Sequence, residues 1–475
     1  MTVLVVGGGI TGLATALDLG RAGIPTVLAE ASDRLGGKVA TERIGPFLVE
    51  LGPDSFLATR PAAVTFAREL GLGEELIGVV EPRTVYIRRD GRLVPMPAGL
   101  GLVLPTRVGP FVGTPLFSLA EKARMSLDLV LPRVASPDDE SVGRFLRRRL
   151  GRPLVDRLAG PLVGGIYGTS IDDLSLDAVV PQLRAAEREH RSLLLAGLAD
   201  GRRMRAAQKA ARTAPSPPST PLGIFASLRG GLGELVVTAV RAVEATGSVE
   251  IRLGLAVRSL TPVGAGFVAG LSDGTSLRVD AVVVATTGPA AARLVEPFAP
   301  DAAGAVAAIP HGSSSVVTLA WRRDRIPPIP IGHGVLVPAS EGLPISACTI
   351  SSQKWPGRAP DDTVLVRAFL PDEPVAGRTE TELAALARSA LAATLGIGTE
   401  PEFVRVSSYP ATMPRYTVGH LARVAQAEAA LERWPAVVLA GCPYHGVGLP
   451  DCIAGGRAAA ARVIEHVATG IALSA

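Results

Sequence analysis

Apolar positions along the 475-residue chain follow two different periods. Short unbroken runs, Val3 to Val6, Thr26 to Ala29 and Ala281 to Ala285, predict strands buried on both faces, as in a parallel sheet. The Ala/Leu-rich stretch after the first run has helical spacing, so the chain opens as a strand–helix–strand unit. Arg60 to Leu76 reads as an amphipathic helix with Leu70-Gly71-Leu72-Gly73 as its stop, and Thr84 to Leu93 as a hairpin turning at Asp90-Gly91. Helical patterning dominates from Ser118 to Arg203, with Ser141 as the N-cap of a helix through Leu150. Ala214 to Pro221 is too Pro-rich for a regular element and reads as a linker. Beyond it, Gly230 to Gly233 opens a helix, Val249 to Leu253 and Ala256 to Leu260 read as strands, and Phe267 to Leu271 with Ser276 to Val279 form a hairpin around Asp273-Gly274. Asp280 to Thr287 then returns as a buried parallel strand. Residues 311 to 410 alternate strands with one helix, Thr379 to Leu395, which suggests a separate antiparallel sheet. Ala436 to Gly441 is a last buried strand, followed by a glycine loop and a helix to about Ala468.

The fold class expected from this order is α/β. A doubly wound nucleotide-binding domain is assembled from residues 1–80, 222–290 and 411–475. A substrate domain with a mixed sheet takes residues 81–95 and 291–410, and a helical insertion takes 96–210. Composition narrows the picture. Aromatic residues are 4% and charged residues 19%, so the cores must be aliphatic. The net charge of +4 comes almost wholly from arginine, since lysine occurs only at 38, 122, 209 and 354. These cations are dispersed, which argues against nucleic acid, and a mild excess of arginine suits anionic substrates or a membrane surface. Three cysteines, Cys348, Cys442 and Cys452, have no metal spacing and fit a reducing cytoplasm. No leader is expected ahead of a strand that starts at Thr2, and no apolar run is long enough to predict a spanning helix. Val94 to Leu119 is apolar but broken by five prolines. It suits a channel wall or a membrane interface, with packing against the chain's own helices as the default.

Gly7, Gly9 and Gly12 give G-x-G-x-x-G between a strand and a helix, within Gly7-Gly8-Gly9-Ile10-Thr11-Gly12. Gly7 permits the tight turn, Gly9 lets backbone amides approach a pyrophosphate, and Gly12 allows helix and strand to pack closely. The helix N-terminus favours the phosphates. Glu30 ends the second strand, where a carboxylate accepts hydrogen bonds from a ribose, and the lack of an arginine there disfavours a 2′-phosphate. Gly36-Gly37-Lys38 and Glu50 to Ser55 extend the site, with more backbone and a cation beside the arm of a longer dinucleotide. This extension resembles flavoprotein oxidases and desaturases, which implies FAD and a glutathione-reductase-like or amine-oxidase-like fold.

The resemblance then extends along nearly the whole chain to the flavin-dependent porphyrinogen oxidases of haem synthesis. Its landmarks are Gly52 to Leu57, Glu140 to Phe145, Pro161 to Gly168, Leu174-Ser175, Gly230 to Leu232, Lys354 to Pro356, Met413 to Tyr416, Gly419-His420 and Gly446 to Ile453. The resemblance implies that Gly7, Gly8, Gly9, Ile10, Thr11 and Gly12 cradle the pyrophosphate. Glu30 and Ala31 would hold the adenosine ribose, and Lys38 would lie beside the linker. Gly52, Pro53, Asp54 and Ser55 would run along the isoalloxazine, and Val257 would meet the adenine through its backbone. Val447, Gly448 and Leu449, at the N-terminus of the last helix, would favour negative charge at the N1–O2 edge of the reduced flavin. Leu336, Phe369 and Tyr167 would line the macrocycle slot.

The family chemistry is removal of three hydrides from a porphyrinogen, with O2 as acceptor and hydrogen peroxide as product. It demands no acid–base residue, and His311, His333, His420 and His445 read as structural hydrogen-bonders. Two departures bear on substrate. The propionate-pairing arginine of eukaryotic relatives, before the strand around Val85, is replaced by an apolar residue or Thr84 and Arg83 is out of register, which leaves Arg60 as the better carboxylate partner. Tyr409, grouped with the cofactor positions, and Arg415 stand where many relatives have Trp and Gln. Both departures favour the bacterial branch acting on coproporphyrinogen III, with its four propionates, over protoporphyrinogen IX. An amine oxidase or carotenoid desaturase is a poorer reading, because aromatics are few and Lys354 is the only lysine of the second half. A porphyrin carrier delivering to a chelatase is the alternative of another class. The implied partners are the porphyrinogen, O2 and a downstream ferrochelatase, in the cytoplasm or peripheral to a membrane.

Overall fold

The computed structural model describes residues 1–101, 103–133, 138–213 and 222–474. Two compact units result, one from Met1–Val79, Leu222–His311 and Leu421–Ala475, the other from Val80–Pro221 and Gly312–His420. In the first unit, five parallel strands stand in the order Val249–Arg252, Thr26–Ala29, Val3–Val6, Ala281–Val284 and Val437–Leu439. The three central strands are buried throughout, which accounts for their unbroken apolar runs. The helix Ile10–Arg21 crosses the last helix, Leu449–Ser474, at small residues. A side chain at Gly456 would come within 2.3 Å of the Thr11 carbonyl, and Thr15 Oγ1 donates to Gly456 O at 2.9 Å. A three-stranded antiparallel sheet, Val257–Val263, Gly266–Leu271 and Ser276–Val279, completes the nucleotide unit on the pattern of alternating residues.

Two expected boundaries shift. The helix expected over Arg60 to Leu76 is Pro61–Glu69, and Leu76–Gly78 is a strand. The stop acts at once: Gly71 takes φ +81°, and Leu72 N–H donates back to Ala67 O at 2.8 Å. The sheet of the second unit is mixed, as the fold class expects, and so departs from the antiparallel reading of residues 311 to 410. Its order is Phe403–Pro414, His311–Arg322, Thr363–Leu370, Ala347–Ile350, Gly334–Leu336, Val85–Arg89 and Arg92–Pro95, and Gly334–Leu336 runs parallel to Val85–Ile87. The early hairpin thereby joins strands more than two hundred residues later. The stretch 214–221, expected to be a linker, lies outside the described residues.

The helical part of the second unit has its own core, including Phe111, Phe117, Phe145, Leu146 and Leu158. Val103, Leu104, Phe111, Leu116 and Phe117 show that much of Val94 to Leu119 packs inward, while Val108, Val112 and Leu119 are exposed. Ser141 caps the helix Val142–Leu150 by accepting from Arg144 N–H. Inside this core Arg149 and Asp128 are fully buried and paired at 2.6 Å, and Asp128 also accepts from Ser192 Oγ at 2.6 Å and Leu194 N–H at 3.0 Å. The charge is thus buried with its hydrogen bonds satisfied. From Val155 to Gly164 the chain widens into a π-helix around Pro161, which donates no N–H and whose ring would clash with the carbonyl four residues earlier in a tighter turn. It leads into Gly165–Tyr167 and the left-handed Gly168, which together orient Tyr167.

Candidate functional site

Glycine geometry builds the nucleotide cradle. Gly7 takes φ +103°, and a Cβ there would lie 2.7 Å from Ala285 O. A Cβ on Gly12 would fall 1.9 Å from Gly7 O, so only glycine lets the helix start this close to the strand. Gly9 differs: nothing lies within 4 Å of its Cβ position, and as N-cap of Ile10–Arg21 it has no side chain to satisfy the first-turn amides. An open face with unsatisfied N–H donors at a helix N-terminus fits a pyrophosphate.

Glu30, at the end of its strand, is held by three donors, Gly8 N–H at 2.7 Å, Ser32 N–H at 2.8 Å and Ser32 Oγ at 2.7 Å. Its carboxylate is thereby fixed beside the loop, where a ribose diol would be met. The second glycine pair lies directly on the first loop. Gly36 bridges Gly9 and donates to Gly8 O at 2.8 Å, and a Cβ on Gly37 would meet Gly9 Cα at 3.3 Å. Lys38, next in the chain, reaches Cys442 Sγ at 3.6 Å. Ala31 is exposed in the following turn, and Val257 starts an antiparallel strand paired with Leu271.

The remaining nucleotide-unit positions are loops pinned by buried polar contacts. Asp54 is buried, its carbonyl accepts from Ser227 Oγ at 2.8 Å, and Ser55 Oγ donates to its carboxylate at 2.8 Å. Gly52 and Pro53 precede them, half-buried. Val447 and Gly448 lead into Leu449, the first residue of the last helix. Cys452 in that helix is pushed up to about 12, first by burial and then by neighbouring Cys442, while Lys38 and a hydrogen bond with Thr11 act in the opposite direction. Arg60 Nη1 pairs with Asp451 Oδ1. His311 donates from Nδ1 to Ile309 O at 2.8 Å, and burial holds its ring below the ordinary imidazole range, with Lys38 adding to the effect.

In the second unit, register brings apolar candidates together. Leu336 pairs with Ala347 and Ala347 with Phe369, so the two assigned residues share one row across three strands. Val316 and Ile87 continue that row on either side. Leu336 and Tyr167 pack on the same helical core, and Tyr167 lies 5.6 Å from the ring of Tyr416, which stacks on His420 at 3.7 Å. Arg415 is engaged by Asp372, which also accepts from Ser313 N–H at 2.7 Å, and its guanidinium covers Gly312. Tyr409 sits half-buried on the edge strand Phe403–Pro414 of this same unit. His333 donates from Nε2 to Val80 O at 2.7 Å, and His445 pairs with Glu428 at 2.7 Å. Among the described residues no group of His, Cys, Asp and Glu could hold a metal ion.

Asp451 and Asp372 carry no signal in the sequence that sets them apart. Asp451 lies inside the Gly446 to Ile453 landmark, and only the fold shows that its carboxylate meets Arg60.

A doubly wound sheet, an open glycine cradle and a second glycine pair laid across it define an FAD-binding oxidoreductase. The family of flavin containing amine oxidoreductases matches residues 10–464, and the chain belongs to it. It is 44% identical over 490 residues to coproporphyrinogen III oxidase of Propionibacterium freudenreichii subsp. freudenreichii, covering 98% of this chain and 90% of that protein. It is 33% identical over 475 residues to coproporphyrinogen III oxidase of Bacillus subtilis strain 168, covering 98% of both. A crystal structure of a candidate protoporphyrinogen oxidase from Exiguobacterium sp. 255-15 superposes with a TM-score of 0.84 at 32% identity, over 97% of this chain and 98% of that one.

Proposed function

We propose that the chain is an oxygen-dependent oxidase that converts coproporphyrinogen III to coproporphyrin III. The observation that carries this reading is near-full-length similarity to two bacterial enzymes of that name, on a chain whose nucleotide cradle fits FAD. Bound FAD supplies the hydride acceptor, three times per macrocycle, and O2 takes the electrons to give hydrogen peroxide.

The protein's own task is binding, orientation and charge. Gly7 to Gly12, Glu30, Ala31, Lys38, Gly52 to Ser55, Val257 and Val447 to Leu449 hold the cofactor. Leu336 and Phe369, in one cross-strand row, offer an apolar surface to the macrocycle, with Tyr167 beside the same core. No side chain is needed as a general base, because the protons leave to solvent, and the histidines are occupied by backbone carbonyls, a carboxylate or a stacked tyrosine. Arg60 and Arg415, assigned to propionates, are each engaged by a carboxylate, so either meets a propionate by sharing or exchanging that partner. We infer hand-over of the product to a ferrochelatase. Peripheral membrane contact is supported by exposed Val108, Val112 and Leu119, and among the described residues no helix is long and apolar enough to cross a membrane.

The alternative substrate is protoporphyrinogen IX, favoured by the solved structure of the Exiguobacterium protein. Specificity constants for the two porphyrinogens decide between them, measured by porphyrin fluorescence with oxygen uptake. Faster turnover of coproporphyrinogen is expected, and the reverse order would sink the assignment. Anaerobic bleaching of the flavin by porphyrinogen is expected within a turnover; a flavin left oxidised would point to a porphyrin carrier.

A further inference from the structure

We propose that Arg60 tunes the reduction potential of the bound flavin by neutralising Asp451 at the N-terminus of the last helix. The inference rests on the reading of Val447 to Leu449 as the wall beside the flavin's N1–O2 edge. A helix N-terminus offers about half a positive charge there. Asp451, in the first turn of Leu449–Ser474, brings a full negative charge to the same place. Its side chain folds back over the loop: the Cβ position of Gly446 is 2.6 Å from Asp451 Oδ2 and that of Gly448 is 2.9 Å from the same oxygen. The carboxylate is only 19% exposed, so water screens it poorly. Its field also reaches the buried first turn, where it is among the charges that oppose ionisation of Cys452.

Unopposed, this carboxylate would outweigh the helix dipole and disfavour the electron-rich reduced flavin. Arg60 removes that conflict. It precedes the helix Pro61–Glu69 in extended backbone and reaches across 391 positions of sequence to place Nη1 on Asp451 Oδ1. With the pair intact the helix dipole acts alone. This charge-balancing role of Arg60 does not depend on its contact with a propionate.

The test is the midpoint potential of the flavin in the purified holoprotein, by equilibration with reference dyes, for the wild type, R60Q, R60K, D451N and R60Q/D451N. R60Q is expected to make flavin reduction about tenfold less favourable, about 30 mV for a two-electron couple, because it leaves a unit charge uncompensated at intermediate dielectric. R60K is expected to hold close to the wild type, D451N to shift the opposite way, and the double variant to return most of the R60Q shift. A potential that does not move in R60Q, or that moves equally with Asp451 absent, would overturn the proposal. Should R60Q hold too little flavin to titrate, the comparison of D451N with the wild type decides, and no shift there counts against the proposal. A raised KM for coproporphyrinogen with unchanged potential would make Arg60 a propionate partner instead. A wild type that carries no flavin would end the cofactor reading itself, before any variant is compared.

Discussion

The candidate sites of the two units are built from opposite materials. In the nucleotide unit the cradle is backbone: glycines, helix N-termini and one carboxylate at a strand end. In the second unit the candidate surface is side chain, an apolar row whose members come from strands far apart in sequence. A backbone cradle tolerates no added atom where main chain already touches main chain. A side-chain surface degrades by degrees, because each residue contributes area rather than shape. That contrast orders the effects expected on perturbing them.

The steepest failure is expected in the cradle. G12V puts a branched side chain where even Cβ is 1.9 Å from Gly7 O, and backbone cannot move aside cheaply. FAD affinity should fall by more than about a hundredfold, read from flavin absorbance per protein and from titration of the apoprotein. Retention of full flavin occupancy would mean that the glycine loop does not shape the site. The second unit has one place that should break nearly as hard, the buried Arg149–Asp128 pair. R149M strands a buried carboxylate and should cost about 3–5 kcal/mol in thermal or urea unfolding, while R149M with D128L should recover most of that loss. A double variant no better than the single one would show that Arg149 acts through its other partners, Pro132 O, Arg191 O and the Glu187 carboxylate, instead.

The same contrast explains how much is legible in the sequence. The cradle is legible because its parts are consecutive: a buried run, three glycines at fixed spacing, a helix and an acid at the next strand end. The three central strands of the parallel sheet follow from charge-free runs of four residues. The parallel pairing of Gly334–Leu336 with Val85–Ile87 is not visible, since three residues carry too little pattern to show which neighbour they choose. The common row of Leu336 and Phe369 depends on that same register. The pairing of Arg60 with Asp451 is not visible either, because nothing local links two residues 391 positions apart. Nor is the pairing of Arg415 with Asp372, whose carboxylate also anchors Ser313. Ion pairs between distant segments leave no periodic trace, whereas a glycine that must accept a positive φ or a close contact does.

Within the second unit the graded response is tested by F369A. Removing a half-buried ring from the row should lower kcat/KM for coproporphyrinogen about thirtyfold, equivalent to roughly 2 kcal/mol of lost apolar contact, and leave flavin occupancy intact. If flavin content falls with activity, Phe369 belongs to cofactor binding or to the fold, and the assignment of this row to the macrocycle fails.

The smallest effect should be shared by both units, which limits the contrast. His311 in the first and His333 in the second each donate one ring N–H to a carbonyl, and burial is the largest influence depressing each imidazole. Lys38 lowers His311 further. Lys354 and Arg83 lower His333 while Glu81 raises it. With native values below the unfolded one, near 6.5, the unfolded chain binds more protons in the interval between them, so stability rises with pH there. The contribution is full above about pH 6.5 and is lost as pH falls through the window towards the native values. Melting temperature should therefore decline from pH 7 to pH 5 through these rings, above the range in which the carboxylates take up protons. H333Q keeps a donor near Nε2 and H311N keeps one near Nδ1, and neither can take up a proton. Each variant should lose less melting temperature between about pH 7.5 and pH 5.5 than the wild type does, whatever its own starting value. A slope unchanged in both would show that neither ring contributes to the loss, and a slope changed in only one would locate the acid-sensitive unit.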